Sequence, residues 1–149
     1  MFDVTSKSLR KCKKIADFPK GVKMAAGALV SDTPLLCGGV GHGALFDHRP
    51  GFTSNCYAYD RKTNRWNVVA NIKNDRYNHA AVAIAKRLWI TGGDTNGPFL
   101  ASTEYIHLDG TVQQGPDLPF ATAQHCMVTL HDGRVMVLGG VENMRVGHF

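Results

Sequence analysis

Leu35-Leu36-Cys37-Gly38-Gly39, Trp89-Ile90-Thr91-Gly92-Gly93 and Val137-Leu138-Gly139-Gly140 each close an apolar run with a glycine pair. The pairs lie 54 residues apart (92 minus 38) and 47 residues apart (139 minus 92). Self-similarity at such a period marks a stacked repeat, and a repeat decides the fold before any single residue is weighed. A residue without Cβ lets a strand end in a sharp bend and lets a neighbouring backbone come close. These glycines therefore read as structural. They have neither the Gly-x-Gly-x-x-Gly spacing nor the lysine of a phosphate loop.

The repeat extends outward from the pairs. His79-Ala-Ala-Val-Ala-Ile84 aligns with His125-Cys-Met-Val-Thr-Leu130, and Ala25-Ala-Gly-Ala-Leu-Val30 aligns with both. Tyr59-Asp60 and then Trp66 follow the first pair; Leu108-Asp109 follows the second. The expected division has residues 1–20 ending one unit, complete units over 21–73 and 74–119, and two strands of a further unit over 120–149. Within a unit the first two strands are short and apolar on both faces, as buried strands are. In the third, Thr103 to Leu108, Glu104 shares a face with Ile106 and Leu108. The fourth is the most polar (Val112-Gln-Gln; Arg10 to Lys14), which suits an outer edge. Asp132-Gly133 between apolar runs predicts a two-residue type I′ turn. No stretch shows a useful helical period, so the chain is expected to be all-β.

A hydrophobic run, Gly-Gly, a tyrosine-aspartate strand and a spaced tryptophan make this chain resemble the Kelch-repeat β-propellers. Gly38, Gly39, Tyr59, Asp60 and Trp66 carry the motif fully in one unit. Gly92-Gly93 and Gly139-Gly140 carry its core in the others. The unit from Tyr77 to Asp117 departs from it, with Leu108 at the tyrosine position and Val112 near that of tryptophan. Looser aromatic packing is expected there. The resemblance implies four-stranded antiparallel blades in an incomplete ring, since propellers ordinarily have about four to eight blades. Two open blade faces would then expose apolar surface. A fragment of a longer chain is the expectation; two copies completing a six-bladed ring is the alternative.

Charge and cysteine content narrow the function classes. The net charge of +5 gathers near Lys7, Arg10, Lys11, Lys13 and Lys14. It lacks the interleaved aromatics that stack bases, so it reads as a solvated edge and not a nucleic-acid surface. No apolar stretch reaches the length of a transmembrane helix. The four cysteines and seven histidines show no metal-ligand spacing, and no cofactor is expected. Cys37 and Cys56 fall on neighbouring strands, where a disulfide is open to them. The plainer expectation is two small buried hydrophobes.

Strand parity points to the working surface. In an up-and-down blade, the segment leading into strand one and the connection from strand two to three emerge together. Residues 17–24, 40–53, 71–78, 94–101, 117–124 and 141 onward share that face. It carries Phe46, His48, Arg49, Phe52, Asn74, Arg76, Tyr77, Asn96 and Phe99. Aromatics and arginine amid polar residues compose protein-binding hot spots, and loops on a rigid scaffold are where binding resides. The competing reading has these aromatics capping blade ends and Arg76 pairing locally.

The resemblance implies a protein- or peptide-recognition module, a substrate adaptor or scaffold, partnered by the rest of the propeller or a second copy. The alternative it implies is a Kelch-like enzyme of copper-radical oxidase or sialic-acid mutarotase type. Adjacent Cys56 and Tyr57 point to opposite faces, which disfavours a copper-radical cross-link. No paired acids or nucleophile-base pattern stands out either. Recognition is the expectation.

Overall fold

The structure is a computed structural model that describes residues 2–3, 10–11, 14–41, 51–95 and 97–142. Its strands are β1 (Phe2–Asp3), β2 (Arg10–Lys11), β3 (Val22–Lys23), β4 (Ala26–Val30), β5 (Thr33–Cys37), β6 (Val40–Gly41) and β7 (Asn55–Asp60), then β8 (Arg65–Asn71), β9 (Ala80–Ile84), β10 (Arg87–Thr91), β11 (Thr103–Ile106), β12 (Val112–Gln114), β13 (Thr122–Thr129) and β14 (Val135–Glu142). All described pairings are antiparallel, and no helix occurs among the described residues. Two four-stranded sheets, β4-β5-β7-β8 and β9-β10-β11-β12, lie within residues 21–73 and 74–119. β13-β14 and β1-β2 are two-stranded.

The core lies between the two larger sheets. Val30, Leu35, Ala58, Ala70 and Ile72 of the first pack with Leu88, Ile90 and Ile106 of the second. Leu88, Ile90 and Ile106 are fully buried, each contributing about 1.5–3 kcal/mol of transfer free energy. The sheets join through main-chain atoms. All three glycine pairs adopt positive φ: 68° and 99° at Gly38-Gly39, 60° and 100° at Gly92-Gly93, 67° and 103° at Gly139-Gly140. The Gly39 amide donates to the Arg76 carbonyl, and the Gly93 amide to the Thr122 carbonyl, each at 2.8 Å. A second link runs through Met24, Asn78 and Gln124, which also share positive φ. The Asn78 amide donates to the Met24 carbonyl at 3.0 Å, and the Gln124 amide to the Asn78 carbonyl at 2.8 Å.

Turn chemistry differs from expectation. The two-residue turns with positive φ at both centres are Ser31-Asp32 and Ala85-Lys86, neither of which contains glycine. Around Asp132-Gly133 the Leu130 amide bonds the Arg134 carbonyl at 2.8 Å, and only Gly133 has positive φ. That is a three-residue loop with glycine in the left-handed position, not a type I′ turn. The third strand of the second sheet ends at Ile106, because the His107 amide turns to the Thr111 carbonyl.

The cysteine expectation is also corrected. Cys37 and Cys56 form a disulfide across paired strands β5 and β7. Their counterparts in the next sheet are Thr91 and Thr103, paired in the same register. Both cysteines are buried, as the plainer reading had it, but they are bonded. Tyr59, Asp60 and Trp66 each have a job. Trp66 meets Phe18 and Tyr59, with ring centroids 5.0 and 5.2 Å apart. Asp60 caps the β7–β8 turn by accepting from the Lys62 amide and the Thr63 hydroxyl. Asp109 repeats that cap with the Thr111 amide. Where tyrosine and tryptophan are missing from the second unit, Trp89 stacks on Tyr105 at 5.6 Å and Arg87 lies 3.7 Å above the Tyr105 ring.

Candidate functional site

Phe52, Tyr77, Asp94 and Phe99 come from three different connections and meet at one end of the sheets. Phe52 precedes β7, Tyr77 leads into β9, and Asp94 and Phe99 flank the connection from β10 to β11. Phe52 and Tyr77 stack nearly parallel, with centroids 5.2 Å apart and planes 5° from parallel. Tyr77 and Asp94 exchange main-chain hydrogen bonds at 3.0 and 2.8 Å, and Asp94 also bridges to Phe99. The Tyr77 hydroxyl donates to the Asp94 carboxylate. Burial, followed by that hydrogen bond and the negative charge, pushes the Tyr77 phenol up to about 12. The phenol is therefore a neutral donor at physiological pH, fixed in place by a carboxylate. All four residues are half-buried.

Beneath this cluster lies Arg76, and here the structure corrects the sequence reading. Arg76 is 0% exposed and cannot offer its guanidinium to a partner. Its Nη1 donates to the Gly92 and Ser102 carbonyls at 2.9 Å each, and its Nη2 to the Ser102 hydroxyl and, at 2.7 Å, to Glu104. Glu104, 2% exposed, also accepts from the Lys73 amide at 2.8 Å. The pair staples the 71–78 connection to β11. Desolvation lowers the Arg76 pKa, opposed by the Glu104 charge. Local pairing of Arg76, the competing expectation, is what the structure holds.

Asn74 is half-buried in the same connection. Phe46, His48, Arg49 and Asn96 lie outside the described residues. Asp94 and Glu104 were not expected as partners of this face, though signals existed. Asp94 is charged where its repeat counterparts are Val40 and Val141. Glu104 is an acid on the strand face that also carries buried Ile106.

The paired histidines sit at the joints between sheets. His125 Nε2 lies 2.7 Å from the Thr91 hydroxyl, and burial lowers its pKa. His79 is buried beside Gly38 with neither ring nitrogen hydrogen-bonded. Desolvation first, then the Arg76 charge, brings it down to about 3; a weak main-chain contact from Cys37 opposes them. No group of three or more histidine, cysteine, aspartate or glutamate residues among the described residues could hold a metal ion. No described helix is long and apolar enough to cross a membrane.

These features define an all-β protein of antiparallel sheets joined through paired glycines, with a cluster of connections at one end. The fold is shared with the solved structure of YjhT, a Kelch-like propeller, at a TM-score of 0.74 and 16% identity. That match covers 88% of this chain and 48% of YjhT. The chain is also 29% identical over 85 residues to spermatocyte protein spe-26 of Caenorhabditis elegans. Those residues are 56% of this chain and 15% of that protein. No family model matches the chain.

Proposed function

We propose that this chain is a Kelch-type protein-recognition module that binds a protein or peptide segment on the end carrying Phe52, Tyr77, Asp94 and Phe99. The observation that carries the reading is the Phe52–Tyr77 stack held by Asp94, because it joins separate connections into one ordered, half-exposed aromatic surface. Rigid aromatics give large contact area at small entropic cost, and a locked phenol supplies a directed polar contact. Arg76 contributes from below by fixing the connection that carries Tyr77, not by touching the ligand. The role is adaptor or scaffold, without chemistry of its own.

The test is selection from a displayed peptide library on the folded chain, followed by affinity measurement with variants. Phe52→Ala and Tyr77→Ala are expected to weaken the selected peptides at least tenfold, whereas Lys62→Ala, on a distant turn, leaves them unchanged. Peptides that bind all variants equally, or that compete for another surface, overturn the reading.

A further inference from the structure

Cys37, Cys56 and His79 gather at the joint between the two four-stranded sheets, and the next joint builds the same arrangement with hydroxyls. Thr91 and Thr103 pair across β10 and β11 as Cys37 and Cys56 pair across β5 and β7. The histidines hold matching places. A Cβ at Gly38 would meet His79 Cε1 at 2.7 Å, and one at Gly92 would meet His125 Cε1 at 2.8 Å. His125 Nε2 lies 2.7 Å from the Thr91 hydroxyl. His79 is 6% exposed, and neither of its ring nitrogens has a hydrogen-bond partner.

The disulfide accounts for the difference. A Cys37 thiol would stand where the Thr91 hydroxyl stands and carry a hydrogen; a disulfide sulfur carries none. The Thr91 hydroxyl also meets Met127 Sδ at 3.0 Å, but the residue matching Met127 beside Cys37 is Ala81. His79 is therefore the acceptor that this repeat position offers a Cys37 thiol. Burial first, then the Arg76 charge, keeps the ring neutral, so one nitrogen retains its lone pair. A buried polar group left unpaired bears its full desolvation cost.

The strands do not depend on the cross-link. Beside the cysteines the Gly38 amide donates to the Asn55 carbonyl at 3.1 Å, as the Gly92 amide does to the Ser102 carbonyl beside Thr91. The Thr91–Thr103 pair keeps this register without a covalent bond.

We infer that Cys37–Cys56 is a reversible redox couple in which the reduced Cys37 thiol donates a hydrogen bond to His79 that the disulfide forfeits. Reduction by an external dithiol moves two electrons and two protons. The S–S bond breaks, both cysteines become thiols, and the reductant closes into its own disulfide. The hydrogen bond exists on the reduced side alone, so it draws the couple toward the thiols and makes the disulfide a stronger oxidant. Both sulfurs are fully buried, so exchange waits on local opening and is slow. Phe52 lies four residues before Cys56 and Tyr77 two before His79, so the couple shares two connections with the aromatic stack. The inference holds whatever that stack binds.

The test is equilibration of the chain with mixtures of oxidised and reduced dithiothreitol at neutral pH, approached from both sides. Alkylation of the thiols separates the two forms by mass. His79→Phe fills the same space without an acceptor and is expected to shift the equilibrium about tenfold toward the disulfide, or about 30 mV. His125→Phe, at the next joint, is expected to leave it unchanged. In the unaltered chain, nitrogen NMR of the His79 ring is expected to show one nitrogen becoming hydrogen-bonded on reduction, a readout that does not depend on any variant folding. The couple is overturned by an equilibrium that His79→Phe leaves in place or His125→Phe moves equally. It is also overturned by His79 signals indifferent to reduction, or by a reduced chain that loses its folded circular dichroism.

Discussion

Arg76 and Glu104 form a buried ion pair, 2.7 Å from Nη2 to Oε1, across 28 residues of sequence. Removing one partner leaves a charge stranded away from water. Arg76→Ala or Glu104→Ala is expected to cost about 3–5 kcal/mol in urea unfolding. The double replacement Arg76→Met with Glu104→Leu is expected to recover much of that loss. If the single and double variants unfold alike, the pair is not what holds the 71–78 connection.

His79 gives the stability a pH dependence. Its folded pKa of about 3 lies below the ordinary 6.5, so the unfolded chain takes up the proton first. The stabilisation from this neutral ring is complete above about pH 6.5 and declines as the pH falls toward 3. The slope for one such group is at most about 1.4 kcal/mol per pH unit. Unfolding free energies measured between neutral and mildly acid pH should show this decline, and His79→Phe should flatten it.

Ala85-Lys86 forms a type I′ turn without a residue suited to it, at φ of 47° and 60°. A left-handed conformation costs an ordinary L-residue roughly 1–2 kcal/mol. Ala85→Asn with Lys86→Gly is therefore expected to stabilise the chain by about 1 kcal/mol or more, read as a higher urea midpoint. An unchanged midpoint would mean that the strain is relieved in a way the backbone does not show.

The Cys37–Cys56 disulfide closes a loop between residues 19 apart. Loop-closure entropy gives it about 3 kcal/mol. Replacing both cysteines with threonine copies the Thr91–Thr103 pair of the next sheet and is expected to lower stability by about 2–4 kcal/mol while preserving the strand register. Unfolding of the variant and of the reduced parent, compared with the oxidised parent, measures it.

The sequence announced what a local backbone demand could write into it. Glycine pairs recur because positive φ and close carbonyls exclude a side chain, and β9, β10 and β12 lie where the apolar and polar runs placed them. Ser31-Asp32 and Ala85-Lys86 were silent because neither carries the Asn-Gly or Asp-Gly pair by which a type I′ hairpin turn is read, although both centres of each are left-handed. Arg76 was misassigned for a related reason. Parity located its connection correctly but could not show that the guanidinium turns inward to an acid on β11. Of the loop-face residues, Phe52, Tyr77 and Phe99 do gather, through an Asp94 bridge that only comparison of repeat positions could have flagged.

The relay from Met24 to Asn78 to Gln124 passes through amides and carbonyls alone, as do the glycine-to-carbonyl joints beside it. Every residue except proline possesses these atoms, so exchanging side chains otherwise leaves the bonds in place. Drift is therefore cheap almost everywhere along these seams, provided that a few positions tolerate left-handed φ. That explains how the same scaffold persists in YjhT at 16% identity. It also leaves the connections at the ends of the sheets free to vary without disturbing the frame beneath them.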